Sequence, residues 1–161
     1  MKSLQKNFLY NVLYQILLVI LPLITAPYIS RTLGATAVGV YSYTYSVAYY
    51  FLLIAMLGIG NHGNRSVAAV RDDREKLNKT FSSIYSLQVM TFSIAILAYA
   101  FYLVLFVKDN RLIVLLQLIY VTSGLFDIGW LFFGLEQFKL TVARNTLIKI
   151  STVVLMLVFV H

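Results

Sequence analysis

The sequence contains no cysteine, so it offers neither a disulfide framework nor a thiolate metal site. It is also poor in charge. Charged residues make up 12% of the chain, against about a quarter in an ordinary soluble domain. Hydrophobic residues reach 60% and the mean hydropathy is +0.82. Water cannot solvate a surface of that composition, which places the chain among integral membrane proteins. Catalytic signatures are missing as well. There is no Walker-type glycine loop, no zinc-ligand spacing, no nucleophile elbow and no serine–histidine triad pattern. Phosphoryl or glycosyl transfer would need clustered acids or a metal-ligand set, and only Asp127 and Glu136 lie in or beside an apolar run. An enzyme, a cofactor and a metal centre are therefore not expected. His62 stands alone in a Gly/Asn stretch with no second ligand nearby.

What is present is a series of long apolar runs. They predict an all-α fold: a polytopic transmembrane helix bundle with four full helices and the start of a fifth. The expected helices cover residues 7–30, 38–60, 80–107, 112–135 and 146–161, the last incomplete, in one transmembrane domain over 1–161. The opening MKSLQKNF resembles a signal-peptide n-region. The apolar run behind it is too long for an h-region and ends without a small-residue cleavage pattern, so it reads as a retained helix.

Residues 7–30 carry no charge. Asn7, Asn11, Gln15, Pro22 and Thr25 fall within roughly 80° of one another on a helical wheel. The first helix is thus apolar on most sides and polar on one, which suits either packing through hydrogen bonds or the wall of a polar cavity. Pro22 and Pro27 predict a kink and an early end in its outer half. Residues 31–39, RTLGATAVG, read as a connector.

The second run is rich in tyrosine, with Ser42, Tyr45, Ser46 and Tyr49 on one face. Tyrosines near its start suit an interfacial belt, whereas Tyr49 and Tyr50 lie deeper. Residues 61–79 form the one long polar stretch, expected as a cytoplasmic loop with a short surface helix.

The net charge of +7 does not point to nucleic acid, because the cations sit in short patches between apolar runs. Ten Lys and Arg fall on the side of the N-terminus, residues 61–79 and residues 139–149. Three fall on the other side, at Arg31, Lys108 and Arg111. This bias predicts a cytoplasmic N-terminus.

The most informative stretch is FDIGWLFFGLEQFK, residues 126–139. Asp127 sits inside an otherwise charge-free run, where a bare carboxylate costs roughly 2.5–3.5 kcal/mol unless it faces a cavity or a partner. Glu136, nine residues on, falls on the opposite side of a regular helix and is expected to pair with Lys139 at the interface. Helices with polar inner faces and one intramembrane acid suit moving a polar solute better than transforming it.

Three stretches together resemble the Wzx-type oligosaccharide flippases, the polysaccharide biosynthesis proteins of the MATE-like superfamily. They are PYISRTLGATAVGVYSY at 27–43, preceded by Asn11 and its apolar run, then LGIGNHGNRSVAAVRDDREKL at 57–77, and FDIGWLFFGLEQFKLTVARN at 126–145. The resemblance covers the whole chain. Such flippases have twelve or more helices in two pseudo-symmetric bundles, so the chain is expected to be the leading part of an N-terminal bundle, a truncation or fragment.

The resemblance implies alternating access. An undecaprenyl-pyrophosphate-linked oligosaccharide, bound for O-antigen (lipopolysaccharide), capsule or exopolysaccharide, would cross through a hydrophilic cavity while its lipid tail stays in the membrane lipid. Arg31 and Arg65 are then the candidates for the pyrophosphate, since the guanidinium fork suits phosphate oxygens. Asn11, Gln15, Thr25 and Tyr49 are the candidates for sugar hydroxyls, and Asp127 for a cavity or coupling-ion site, H⁺ or Na⁺. The remaining helices of the transporter or a glycan polymerase are the implied partners. Two alternatives stand beside this reading. One is a non-transporting membrane scaffold, subunit or inactive remnant. The other is a cation-coupled multidrug exporter of the same superfamily, which would prefer an acid in the first helix, where this chain has none.

Overall fold

A computed structural model describes residues 2–160; the side chains of residues 2–11, 13, 14, 17, 18, 138 and 139 fall outside that description. The described residues are helical, with no strand among them. Six helices follow in order: α1 (Lys2–Met56), α2 (Ile59–Val70), α3 (Arg74–Leu105), α4 (Arg111–Ser123), α5 (Gly129–Gly134) and α6 (Phe138–Phe159). A 3₁₀ turn at Gly124–Phe126 follows α4. Four stretches are long and apolar enough to cross a membrane: Val19–Val70, Arg74–Leu105, Arg111–Gly134 and Leu140–Phe159. The protein is a multi-pass membrane protein. Leu97, Phe101, Ile119 and Leu147, among many other large apolar side chains, are exposed on these helices, as lipid-facing residues must be.

The boundaries depart from the sequence expectation at several places. Pro22 and Pro27 lie inside the first helix, and neither ends it or leaves helical backbone geometry. The residue that leaves helical geometry within α1 is Gly34, at φ 79° and ψ 161°. That backbone region is open in practice to glycine alone. Prolines are tolerated in a membrane helix when neighbouring groups take up the freed carbonyls. The expected connector 31–39 is helical except at this glycine. The expected loop 61–79 is also mostly helical, and NHGN lies inside α2. A tight turn at Leu57 and Gly58, both at positive φ, separates α2 from α1. Asp73 caps the N-terminus of α3, its Oδ1 accepting from the amides of Glu75 and Lys76, both at 3.1 Å. The fourth apolar run is not one helix but α4, the 3₁₀ turn and α5, broken at Asp127. The fifth begins eight residues earlier than expected. Nothing between Gln137 and Phe159 is glycine or proline, so Lys139, Arg144 and Lys149 sit on a helix rather than in a connector.

The chain packs as two units, the first formed by the segment up to Gly39 with the segment from Gln137, the second by Val40–Glu136. In the second unit α2 buries Ile59, Gly63 and Val67 at a four-residue spacing, and α5 buries Trp130 and Gly134. Glycines let these two helices touch. A Cβ on Gly63 would stand 2.7 Å from the Trp130 ring, and one on Gly134 would stand 2.6 Å from Val67 Cβ. Beside them α3 presents Ile84, Gln88, Phe92, Ala95 and Tyr99 on one buried stripe, and α4 presents Val114, Gln117 and Val121.

Candidate functional site

Two places carry polar chemistry at membrane depth, one in each unit. The first is the break in the Arg111–Gly134 span. The 3₁₀ turn ends at Asp127, whose extended backbone (φ −80°, ψ 96°) cannot continue a helix. Carbonyls freed by such a break need donors, because lipid supplies none. Gln88, fully buried on α3, supplies them. Its amide nitrogen donates to the carbonyl oxygens of Gly124 at 2.9 Å and Asp127 at 3.0 Å. Its own oxygen accepts from the indole N–H of buried Trp130 at 2.9 Å.

Asp127 itself is exposed, and its Oδ1 accepts from the Gly129 amide at 3.0 Å. The carboxylate therefore shapes the turn that restarts the helix and still faces outward. It does not share a buried helical face with Gln117, Gly124 and Gly134, which are buried. Glu136 has a partner distant in sequence. It forms an ion pair with Arg71, and the expected pairing with Lys139 falls on a side chain outside the described residues. The hydrogen bond and charge of Glu136 raise the Arg71 guanidinium above its already high ordinary value. Glu136 holds this place at φ 58°, a left-handed conformation uncommon outside glycine.

The second place is a cleft of about 390 Å³ in the first unit, lined from α1 by Leu21, Pro22 and Thr25 and from α6 by Asn145, Ile148, Lys149, Thr152 and Val153. The α6 residues recur at three and four positions, one helical face, and Pro22 and Thr25 belong to the polar stripe of α1. Lys149 is exposed and lies within the Leu140–Phe159 stretch. Among the described residues no acid pairs with it. Above the cleft, the Tyr28 hydroxyl donates to the Val160 carbonyl at the end of α6.

Charge is divided unevenly between the units. All six carboxylates of the chain lie within Val40–Glu136. The other unit holds six Lys and Arg and no acid, so nearly the whole excess of +7 belongs to it.

The remaining sequence candidates are scattered. The side chain of Asn11 lies outside the described residues. Gln15 is exposed on α1. Arg31 is exposed three residues before Gly34, and Arg65 is exposed on α2; neither has an ion pair among the described residues. Tyr49 is part of a stack on α1 in which Tyr41 and Tyr45 lie 5.9 Å apart and Tyr45 and Tyr49 lie 6.1 Å apart, centroid to centroid. The Tyr45 hydroxyl meets that of Tyr120 at 3.1 Å. No hydrogen bond or ion pair among the described residues joins Tyr49, Arg65 and Asp127. Of the candidates with described side chains, Thr25 alone lines the cleft. Reading the sequence missed Gln88, Asn145 and Lys149. The signal for Lys149 was the unbroken helix former pattern after Gln137, and for Gln88 the GLFDIG segment opposite it, which carries two glycines and an acid in six apolar-run residues.

The chain thus carries membrane-length helices that are interrupted, at Gly34 in α1 and at Asp127 between α4 and α5. A family model described as polysaccharide biosynthesis protein matches residues 4–161. A protein of Escherichia coli (strain K12) described as "Putative O-antigen transporter" is 24% identical over 161 residues, which is 99% of this chain and 39% of that protein. The chain thus spans about two fifths of the length of the relative it matches. No solved structure matches it. With the family model aligned along virtually the entire length of a helical, multi-pass membrane chain, the chain belongs to the polysaccharide biosynthesis protein family.

Proposed function

We propose that the protein takes part in moving an undecaprenyl-pyrophosphate-linked oligosaccharide across the bacterial inner membrane, by alternating access, for O-antigen, capsule or exopolysaccharide synthesis. The observation that carries this reading is the charge division. A unit with six cations and no carboxylate, bearing a polar stripe and a lysine without an ion pair among the described residues, suits an anionic, polar passenger. A cationic drug would be repelled by that unit, and the exporter alternative loses its support. The family and the O-antigen transporter relative agree with a lipid-linked glycan as the substrate class.

In this reading Thr25, Gln15 and Asn11 present the α1 stripe to the passenger. The stacked Tyr41, Tyr45 and Tyr49 offer ring faces and hydroxyls to sugars. Arg31 and Arg65 attract phosphate at the two membrane faces, with the N-terminus cytoplasmic. Asp127, exposed at the helix break, is the group that binds a coupling ion. Reaction chemistry is not needed for any of these steps.

The test is complementation. The gene that encodes this chain is expressed in a strain whose own O-antigen transporter is deleted, and surface O-antigen is scored on lipopolysaccharide gels. Restored surface polymer supports the reading. Normal amounts of membrane-inserted protein with no surface polymer, across several oligosaccharide backgrounds, would count against it and favour the scaffold alternative.

A further inference from the structure

The break between α5 and α6 stands where the sequence provides no breaker. Leu135, Glu136 and Gln137 are all good helix formers. The nearby glycine, Gly134, stays inside α5. Among the described residues only Gly34 and Gly58 of the glycines take positive φ. The residue that leaves helical geometry at this joint is Glu136, at φ 58°. Its neighbours keep ordinary negative values, Leu135 at φ −80° and Gln137 at φ −85°. The restart is not encoded locally either. Gln137 stands at the N-cap of α6 without a side-chain hydrogen bond, and the first turn holds no acid. Local preference therefore favours one continuous helix, and a group outside the segment must hold it broken.

We propose that Arg71 and Glu136 form a latch: paired, they hold the chain broken between α5 and α6, and unpaired, they release Glu136 and Gln137 into helix, so that the two segments run on as one. Arg71 lies one residue beyond α2 and pairs with Glu136. The contacts of Gly63 with Trp130 and of Val67 with Gly134 bring the end of α2 to the end of α5. Turning Glu136 to a helical φ rotates its side chain by about 120° with respect to α5 and takes it away from Arg71. A left-handed glutamate is disfavoured, and a partly exposed ion pair contributes a stabilisation of similarly small size. The two nearly offset, which is the condition for an element with two accessible states. The latch also lies where ions reach it. Val70 and Gly134 each end an apolar stretch, so the pair flanks two span ends, and its side chains are 39% and 64% exposed. The inference goes beyond the transport reading and does not rest on it.

The test is amide hydrogen exchange on the whole protein in nanodiscs, read by mass spectrometry at residues 137–139. In the broken chain these amides open a helix and have no carbonyl one turn back. The first turn of α6 is closed by Leu140 and Thr141, which donate to the Gln137 carbonyl. Fast exchange at 137–139 is expected in the wild type at low salt. Arg71→Gln is expected to slow it by about tenfold or more, because a continuous helix supplies the missing acceptors. Salt raised towards about 1 M screens the pair and should move the wild type the same way, so the test stands if Arg71→Gln inserts poorly. The charge swap, Arg71→Glu with Glu136→Arg, should restore fast exchange.

Glu136→Gly serves as the control, since glycine takes the left-handed conformation without strain. Its exchange at 137–139 should be fast with or without Arg71→Gln. An ion pair that merely props the joint gives the opposite sign, because its loss loosens the chain. Exchange that is unchanged or faster in Arg71→Gln and in high salt therefore overturns the proposal and makes the pair an ordinary surface contact.

Discussion

The indole nitrogen of Trp130 donates to Oε1 of Gln88 at 2.9 Å, and the other end of that amide closes the carbonyls of Gly124 and Asp127. One glutamine thus holds together the two pieces of a broken membrane span. Trp130→Phe keeps the ring over Gly63 and leaves the amide oxygen unsatisfied. Gln88→Leu leaves two carbonyls and the indole without partners. Polar pairs inside membrane proteins average about 0.6 kcal/mol and reach about 1.7, whereas fully unsatisfied buried groups cost about 1–3 kcal/mol. The expected losses are therefore about 1 kcal/mol for Trp130→Phe and roughly 2–4 kcal/mol for Gln88→Leu. The double variant should be less destabilised than the sum. Reversible unfolding in mixed SDS micelles measures all three, and strict additivity would show that the pair is not coupled.

The contact of α2 with α5 leads to a contrast between glycines. A methyl on Gly134 would meet Val67 Cβ at 2.6 Å and the Asn64 carbonyl at 2.9 Å, both parts of a helix that cannot yield locally. Gly134→Ala is expected to cost about 1–3 kcal/mol, the range for overpacking. Gly39 is helical and has nothing within 4 Å of its would-be Cβ. Gly39→Ala should be neutral or stabilise by up to about 1 kcal/mol. The same SDS assay decides, and equal effects at the two positions would contradict the packing described.

Gly34 makes a sharper demand. Its φ of 79° alone would admit asparagine, but ψ of 161° lies far from the left-handed helical region where asparagine is tolerated. Both Gly34→Ala and Gly34→Asn are expected to destabilise, by about 1–3 kcal/mol each. Rescue by asparagine would mean that the break is an ordinary left-handed turn. Cysteine cross-linking or spin labels across the break would report whether α1 straightens.

The acid response of the α2–α3 turn follows from Asp73. Its carboxylate is held below the ordinary value of 3.8, first by the Lys76 side chain and then by the backbone amide of Lys76. A depressed value in the folded state means that the cap contributes fully above the unfolded value. That contribution fades as pH falls below about 4 and through the folded value. Hydrogen exchange at Glu75 and Lys76 should stay protected at neutral pH and accelerate in acid, relative to the middle of α3. Asp73→Asn keeps a capping oxygen, so its exchange should lose the acid dependence. Parallel acid profiles in the two proteins would exclude the carboxylate as the cause.

How much of this could be read without coordinates differs from residue to residue. Long charge-free runs announced the spans, because lipid leaves a chain few other options. Thr25, one residue of the polar stripe read on α1, lines the cleft. Helix breaks were misplaced. Prolines at 22 and 27 looked decisive, yet Gly34 carries the break, since a membrane helix absorbs a missing donor more easily than a packed unit absorbs a wrong backbone angle. Lys149 was counted as a topology marker because the fifth helix was started too late. Gln88 looked like one of several polar residues in its run, and its role depends on a break 36 residues away that periodicity cannot show. Glu136 pairs with Arg71, 65 residues away, a contact that helical spacing cannot show.

Asp127 separates turn chemistry from charge chemistry. Its Oδ1 accepts from the Gly129 amide, a bond that an asparagine oxygen makes equally well, while the carboxylate as a whole stays exposed. Asp127→Asn should therefore fold and insert like the wild type, with unfolding unchanged within about 0.5 kcal/mol. Asp127→Ala removes the turn bond too and should lose about 1 kcal/mol. If the carboxylate binds a coupling ion, Asp127→Asn abolishes most export, by about tenfold or more. Asp127→Glu, which restores charge but displaces the turn oxygen, recovers part of it. Export that instead follows stability, normal in Asp127→Asn and reduced in Asp127→Ala, would assign this residue to the helix restart alone. The coupling group would then have to be sought in the other carboxylates, among which Glu75 lies within a candidate span and Asp72, Asp73, Asp109 and Glu136 lie just outside span ends.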